Sequence, residues 1–200
     1  MLSTIRTQLA AYQPRQLKQT KVEAGVMVLV TDCEHNPEII LTQRSKRLSS
    51  HSGEVAFPGG KRDAEDDSIL TTALRETEEE IGLHASHIEL LGELGQLHSV
   101  HGLRVTPCVG VIAEHSTAML TASPDEIDAI FKVPLSYFLD EQNQCDDEYV
   151  VRGKNLYVPA WRYDGYIIWG LTAYFIAELV NLCFDAKIPV KPRPEHKLLA

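Results

Sequence analysis

The chain has 200 residues, 44% of them hydrophobic and 24% charged, and this composition is typical of one globular domain with an ordinary core. Its formal net charge of −9 argues against a general nucleic-acid-binding protein. The first residues contain no apolar run of the signal-peptide type, and the apolar stretch 165–184 carries Glu178 and Asn181. We therefore predict a cytoplasmic protein with no membrane partner and no nucleic-acid partner.

Apolar periodicity and turn-forming residues predict a mixed sheet flanked by helices, all within one domain over residues 1–200. The run VEAGVMVLV is almost continuously apolar, which indicates a central strand, and IILTQRS completes a hairpin with it. The Pro-Gly-Gly sequence at 58–60 is typical of a chain breaker, and Pro124 after Ser123 is typical of a helix start. In chain order, the predicted elements are a helix over 3–12, strands over 22–30 and 39–45, an acidic helix ending near 82, strands over 87–99 and 103–114, a helix over 124–131, a β-ribbon over 148–169, a helix over about 170–184 and a surface tail over 188–197.

The segment ALRETEEEIGL, residues 73–83, places four glutamates in five positions of the acidic helix. At 100° per residue, Glu76, Glu79 and Glu80 fall in one arc roughly opposite the apolar face, and Glu78 lies away from both. Like charges at this spacing cost roughly 0.2–0.5 kcal/mol per pair, and a merely solvated face would intersperse lysines. Converging carboxylates are the ligands that a hard cation such as Mg²⁺ prefers, so we predict a metal site here.

The charges around this helix are separated by sign. Residues 43–62 contain five bases and one acid, whereas residues 63–80 contain eight acids and one base. One explanation of this pattern is chance on a solvated surface. A cationic block beside an anionic block is also what a phosphate ligand together with a divalent cation requires.

The string GKRDAEDDSILTTALRETEEEIGL, residues 60–83, resembles the Nudix box, G-x5-E-x7-R-E-U-x-E-E-x-G-U. Its R-E-x-x-E-E-x-G core is complete, with Thr77 at the usually apolar position. The first acid is Asp66 or Asp67 in place of glutamate, and the stretch from the first glycine to the arginine is one residue longer than the pattern. The sequence leaves open which aspartate takes that place.

A second resemblance lies directly upstream. The string ILTQRSKRLSSHSGEVAFPGGK, residues 40–61, is similar to LLTxRSxxLxxHxGxxxFPGG, the segment typical of coenzyme A pyrophosphatases. The stretch WGLTA at 169–173 also looks like that branch. The resemblance implies the Nudix fold, an α/β/α sandwich with a mixed sheet.

The resemblance also implies hydrolysis of a nucleoside diphosphate linked to another group, with Mg²⁺ or Mn²⁺ as the cofactor. Arg75 is implied to pair with an acid of the box and so to orient the metal-binding carboxylates. The water is activated by Glu80 or by a glutamate outside the box, Glu126 or Glu114. The implied metal ligands are the carboxylates of Glu76, Glu79 and Glu80 and the carbonyl of Gly60.

The upstream segment implies that the small-molecule partner is coenzyme A, cleaved to 4′-phosphopantetheine and 3′,5′-ADP. Arg44 is the strongest candidate for the 3′-phosphate, because its fork holds phosphate bidentately. The alternatives are a Nudix hydrolase of ADP-ribose, dinucleotides or nucleoside triphosphates, and a nucleotide-binding regulator without activity. A monomer and a homodimer both stay open. The candidate substrate-binding residues are Arg44, Lys46, Arg47, His51, Gly59 and Gly60.

Overall fold

The computed structural model describes residues 1–18, 22–48, 50–99, 102–151 and 154–190, and within these ranges the chain forms two sheets and four α-helices. The helices are α1 (Leu2–Ala11), α2 (Ile69–Ile81), α3 (Leu135–Leu139) and α4 (Gly170–Phe184). The larger sheet contains β1 (Glu23–Thr31), β2 (Glu38–Arg44), β3 (Val55–Ala56), β4 (Gly59–Lys61), β5 (Glu89–Glu93), β6 (Leu97–His98), β7 (Arg104–Ile112) and β8 (Ile127–Pro134). The smaller sheet contains β9 (Gln144–Val151), β10 (Lys154–Tyr163) and β11 (Tyr166–Ile168).

The larger sheet is built around β1, whose apolar run is almost wholly buried, as the sequence predicts for a central strand. β7 pairs parallel with β1 from Glu23 to Thr31 and therefore takes the whole of one edge. Two antiparallel neighbours share the opposite edge, since β4 pairs with residues 24–26 and β2 with residues 29–30. The connection between β2 and β4 contains β3, which pairs with Thr42 and Gln43 of β2.

Helices cover both faces of the larger sheet. On one face, Ala73 and Ile81 of α2 join Leu29 of β1 in a buried cluster. On the other face, α1, α4 and the smaller sheet enclose a larger cluster, in which Val28 of β1 meets Phe175 of α4. This α/β/α sandwich with a mixed sheet confirms the predicted fold class.

Most predicted elements are confirmed near their predicted bounds. The acidic helix begins after Ser68 and ends before Gly82, and the stretch 165–184 is β11 followed by the buried helix α4. None of the described helices combines the length and the apolar content that crossing a bilayer requires. The tail predicted over 188–197 lies outside the described residues from position 191 onward, and the cytoplasmic location stays a prediction.

The helix predicted over 124–131 is wrong, because this segment is a turn followed by β8. Its apolar residues alternate between the faces of the sheet, with Ile130 on the α2 side and Phe131 on the α4 side. Pairing with β2 satisfies the backbone of β8, and this long-range contact outweighs the local signal of the proline. The Pro-Gly-Gly sequence likewise does not simply break the chain, since Gly59 and Gly60 belong to β4.

Candidate active site

The acidic helix α2 has a well-defined beginning and end. The Ser68 hydroxyl accepts a hydrogen bond from the Thr71 N–H and caps the first turn. Gly82 ends the helix in a left-handed conformation, with φ of 70°. Gly25 of β1 lets the helix lie close to the sheet, because a Cβ there would come within 2.5 Å of the Ile69 carbonyl oxygen. The glutamates of α2 are therefore held at a fixed depth against β1 and β4.

The four glutamates of α2 differ widely in exposure. Glu78 is exposed and the Glu79 side chain is 57% exposed, whereas the Glu76 side chain is 17% and the Glu80 side chain only 2% exposed. The sequence interpretation places Glu80 opposite the apolar face, and this is wrong: Glu80 lies seven positions after the buried Ala73, only about 20° away from it around the helix. β4 lies along this side of α2 and covers Glu80: the Gly59 N–H donates to Glu80 Oε2 at 3.1 Å.

Two glycines of β4 leave room for the inner carboxylates. The Glu76 carboxyl group lies against Gly60, so closely that a Cβ at Gly60 would be 2.3 Å from Glu76 Cδ. Gly59 meets Glu80 through the hydrogen bond described above. The structure therefore places Glu76 against Gly60 and Glu80 against Gly59, on neighbouring residues of β4.

Arg75 is the centre of an ion-pair network on α2. Its guanidinium makes a two-pronged contact with Asp66, with Nε 3.1 Å from Oδ1 and Nη2 3.0 Å from Oδ2. Its Nη1 donates to Glu76 and to Glu79, each at 3.0 Å. Arg75 thus holds two of the predicted metal-binding carboxylates beside Asp66, which is the geometry that its predicted orienting role requires.

Asp66, and not Asp67, occupies the first acidic position. The Asp66 side chain is 5% exposed and accepts hydrogen bonds from the Thr72 hydroxyl at 2.9 Å and from the Asp63 N–H at 3.0 Å, whereas Asp67 is exposed. The hydrogen bonds from Arg75 hold the pKa of Asp66 far below its usual range. The structure thereby answers the question that the sequence leaves open.

Replacing Asp66 by Asn is expected to lower the free energy of unfolding by about 2 kcal/mol at pH 7, because the Arg75 guanidinium loses its charged partner. For a chain of this length the melting temperature should fall by about 4–8 °C. Since the pKa of Asp66 is depressed in the folded state, the difference from wild type should shrink as the pH falls below about 4. This effect is measured by thermal melts, with Asp67→Asn as the control. Equal losses in both variants would contradict the assignment of Asp66 to the first acidic position.

Burial dominates the electrostatics of the two inner glutamates. It raises the pKa of Glu80 to about 7, against the opposing effects of the Gly59 N–H and of Arg44, whose Nη1 lies 3.0 Å from Glu80 Oε1. Burial also raises the pKa of Glu76. The negative charge of Glu126 also contributes to the raised pKa of both residues, after the larger effect of burial. Burial thus disfavours the ionised form of both carboxylates, and a bound cation would favour that form and lower both pKa values.

The donor set fits a divalent cation chemically, although its carboxylates are not gathered around one point. Within the described residues, no group of three or more His, Cys, Asp or Glu side chains is arranged closely enough to hold a metal ion. The Glu79 carboxylate is the most exposed of the three and shares Arg75 with Glu76, whereas Glu76 and Glu80 lie against the two glycines of β4. Carboxylate oxygens are the hard ligands that Mg²⁺ and Mn²⁺ prefer.

The predicted substrate-binding side chains follow β2 and the loop after it. Arg44 reaches α2 directly through its ion pair with the buried Glu80. Lys46 and Arg47 are exposed in the loop, and His51 is exposed with its Nδ1 2.8 Å from Glu54. Arg44 is therefore the member of this group that the structure brings into contact with the proposed metal ligands.

The two glutamates outside the box lie in different places. Glu126 belongs to the turn before β8, and this turn contacts α2 because the Ser123 N–H donates to the Glu80 carbonyl at 2.9 Å. Glu114 lies beyond the end of β7, where its N–H donates to Asp32 at 2.7 Å. Of the two segments, the turn that contains Glu126 is therefore the one with a hydrogen bond to the Glu80 carbonyl of α2.

Comparison with known proteins agrees with this geometry. The NUDIX domain family matches residues 21–153. A protein of Photorhabdus laumondii named uncharacterized Nudix hydrolase NudL is 39% identical over 168 residues, which cover 84% of this chain and 88% of that protein. A NudL protein of Yersinia enterocolitica is 37% identical over 176 residues, covering 88% of this chain and 89% of that one. A solved structure of a MutT/nudix family protein from Enterococcus faecalis shares the fold, with a TM-score of 0.50 and 17% identity over 92% of this chain and 68% of that chain.

The chain belongs to the Nudix hydrolase family. It is a pyrophosphohydrolase, an enzyme that hydrolyses the pyrophosphate bond of nucleotide derivatives. Nudix hydrolases generally use divalent metal ions such as Mg²⁺ or Mn²⁺.

Proposed function

We propose that this Nudix hydrolase cleaves the pyrophosphate bond of coenzyme A, or of a coenzyme A derivative, to give 4′-phosphopantetheine and 3′,5′-ADP. The observation that carries the proposal is the position of segment 40–61, which resembles the coenzyme A pyrophosphatase branch. This segment forms most of β2 and all of β3 and β4, and it brings Arg44 and Gly59 into contact with Glu80. The segment that is typical of this branch therefore lies against Glu76 and Glu80 of α2.

The proposed roles follow from these contacts. A divalent ion, Mg²⁺ or Mn²⁺, would neutralise the charge of the diphosphate and activate the attacking water. Arg75 holds Glu76 and Glu79 in place, and Gly60 leaves space for the Glu76 carboxyl group. The ligands of the divalent ion are assigned to the carboxylates of Glu76, Glu79 and Glu80 and to the carbonyl of Gly60.

Glu126 is assigned as the base that accepts the proton of the attacking water, and Glu80 is the alternative within the box. Both carboxylate oxygens of Glu80 already accept hydrogen bonds, one from Arg44 and one from the Gly59 N–H. Glu126 is exposed and belongs to the turn that contacts the Glu80 carbonyl, so its carboxylate is accessible to water beside the end of α2.

The position of Arg44 also bears on how the 3′-phosphate of coenzyme A is bound. Because Arg44 pairs with Glu80 at the carboxylate cluster, we assign it to the diphosphate and not to the 3′-phosphate. Lys46 follows two residues later and is exposed, which leaves its ammonium group accessible to a phosphate outside the cluster. We therefore assign the 3′-phosphate to Lys46.

Replacing Lys46 by Ala is expected to raise KM for coenzyme A about tenfold, the scale of one charge-assisted hydrogen bond. KM for dephospho-coenzyme A, which lacks the 3′-phosphate, should stay within about twofold. Arg44→Ala should instead lower kcat/KM for both substrates by similar factors. If Arg44→Ala lowered kcat/KM for coenzyme A alone and Lys46→Ala had no effect, Arg44 and not Lys46 would be the residue that binds the 3′-phosphate.

The choice of substrate is tested by measuring kcat/KM for coenzyme A, ADP-ribose, a diadenosine polyphosphate and ATP, each with Mg²⁺ and with Mn²⁺. We expect the highest value for coenzyme A. A higher value for one of the other compounds would assign the enzyme to that substrate class and refute the proposal. Binding without hydrolysis of any of them would support the regulator alternative.

A further inference from the structure

The contacts of the Arg47 side chain are made with the protein itself. Arg47 Nη2 donates to the carbonyl of Pro124, and Arg47 Nε lies 3.3 Å from the Ser45 hydroxyl oxygen. The Arg47 N–H also donates to that hydroxyl, at 3.3 Å. The guanidinium therefore connects the loop after β2 with the turn at residues 123–126, called here the 123–126 turn.

Three further hydrogen bonds join the loop after β2 to this region. The Ser45 N–H donates to the Glu126 carbonyl at 2.7 Å, and the Lys46 N–H donates to Asp128 Oδ2 at 3.0 Å. The Ser45 hydroxyl donates to the Asp128 carboxylate as well. Ser45 is fully buried, whereas Lys46 and Asp128 are exposed, so this set of bonds runs from the interior to the surface. Arg47 thus completes a set of contacts that fixes both sides of the 123–126 turn.

The 123–126 turn also contacts the C-terminal end of α2. The Ser123 N–H donates to the Glu80 carbonyl at 2.9 Å, and within the turn the Glu126 N–H donates to the Ser123 carbonyl at 3.1 Å. The backbone of Glu126 is consequently fixed three residues after the contact with Glu80, and its carboxylate charge contributes to the raised pKa of Glu76 and Glu80. A shift of the 123–126 turn would therefore change the position of Glu126 relative to Glu76 and Glu80.

We infer that Arg47 is a positioning residue, which holds the 123–126 turn so that the Glu126 carboxylate stays beside the inner glutamates of α2. It acts through Glu126 and makes no contact with the substrate, in contrast to the substrate-binding role that the sequence predicts. The inference rests on the proposed role of Glu126 in hydrolysis, but it does not depend on coenzyme A being the substrate.

A double-mutant cycle tests the coupling between the two residues. Arg47→Ala is expected to lower kcat about tenfold with KM changed by less than about twofold, and Glu126→Gln to lower kcat at least as much. The double variant should be no slower than Glu126→Gln alone, because Arg47 acts only through Glu126. Arg6→Ala is the matched control: Arg6 is an exposed arginine paired with Glu89, away from α2, and its loss should leave kcat unchanged.

Arg47→Lys separates positioning from charge. Lysine keeps the positive charge that would attract a substrate phosphate, but it lacks the planar fork that contacts both Ser45 and Pro124. The inference predicts a loss of kcat in Arg47→Lys similar to that in Arg47→Ala. Wild-type kcat and KM in Arg47→Lys, together with a loss in Arg47→Ala, would overturn it.

Two other results would contradict the inference: a rise in KM at unchanged kcat in Arg47→Ala, or losses of kcat that multiply in the double variant. Amide hydrogen exchange gives a readout that is independent of activity. The amides of Glu126 and Ile127, which both donate to the Ser123 carbonyl, should exchange faster in Arg47→Ala, and unchanged rates would refute the positioning role. The cycle uses whichever phosphoanhydride the wild type hydrolyses, so a wrong substrate and a wrong role for Arg47 give different results.

Discussion

Replacing Glu79 or Glu80 by Gln should lower turnover at least about a hundredfold, the scale of losing one strong electrostatic stabiliser of the transition state. Glutamine keeps the shape of the side chain but removes a charged oxygen from the proposed metal ligands. Glu78→Gln is the matched control on the same helix, because Glu78 is exposed and lies away from the other three glutamates. Its turnover should stay within a few-fold of wild type when rates are measured at saturating Mg²⁺.

Melting experiments with and without Mg²⁺ test the same assignment through stability. The pKa of Glu80 is raised from 4.5 to about 7 in the folded state, so stability is lost as the pH rises between these values and Glu80 ionises in its buried position. At pH 8 bound Mg²⁺ should offset this loss, and it should raise the melting temperature of wild type more than that of Glu79→Gln or Glu80→Gln. Equal shifts in all proteins, or a Glu78→Gln variant as damaged as the others, would contradict the assignment.

Replacing Gly59 by Ala should lower the free energy of unfolding by about 4 kcal/mol, and the melting temperature by about 8–16 °C. The φ angle of Gly59 is 152°, and a Cβ would lie 2.4 Å from the Gly25 carbonyl oxygen and 2.6 Å from Val26 Cα. Since both of these are backbone atoms of β1, the strand itself must move. Thermal melts measure the loss, and a melting temperature within about 2 °C of wild type would contradict it.

Gly60→Ala is the matched comparison, because its effect should fall on activity instead of stability. The three atoms nearest to a Cβ at Gly60 all belong to the Glu76 carboxyl group, at 2.3–2.4 Å, and this group is the end of a flexible side chain. The variant should therefore fold with a melting temperature close to wild type, but turnover should fall about tenfold or more as Glu76 is displaced. Wild-type turnover in Gly60→Ala would show that Glu76 does not need this position.

The elements that the sequence predicts well are those with strong local signals. The apolar run of β1 and the end of α2 near Gly82 depend on neighbouring residues alone, and both are confirmed. The segment 124–131 carries a helix signal in Pro124, but it becomes a strand because β2 offers it a partner more than eighty positions earlier in the chain. Such pairing cannot be read from a local pattern.

The candidate site shows the same division between local and long-range information. Spacing on one helix suffices to single out Glu76, Glu79 and Glu80 as a group. The burial of Glu80 depends on how closely β4 packs against α2, and the contact of Arg47 with the 123–126 turn joins distant parts of the chain. The spacing of Glu80 from Ala73 indicates that Glu80 borders the apolar face, whereas its hydrogen bond to β4 and the protein contacts of Arg47 emerge only from the structure.

The central claim, that this Nudix hydrolase cleaves coenzyme A at its diphosphate with a divalent ion, is tested most directly by identifying the products of one reaction. Purified protein is incubated with coenzyme A and either Mg²⁺ or a chelator, and the products are identified by mass spectrometry. The account predicts 4′-phosphopantetheine and 3′,5′-ADP in equal amounts with Mg²⁺, and neither product with the chelator. Intact coenzyme A in the presence of Mg²⁺, under conditions in which the same preparation hydrolyses ADP-ribose, would contradict it.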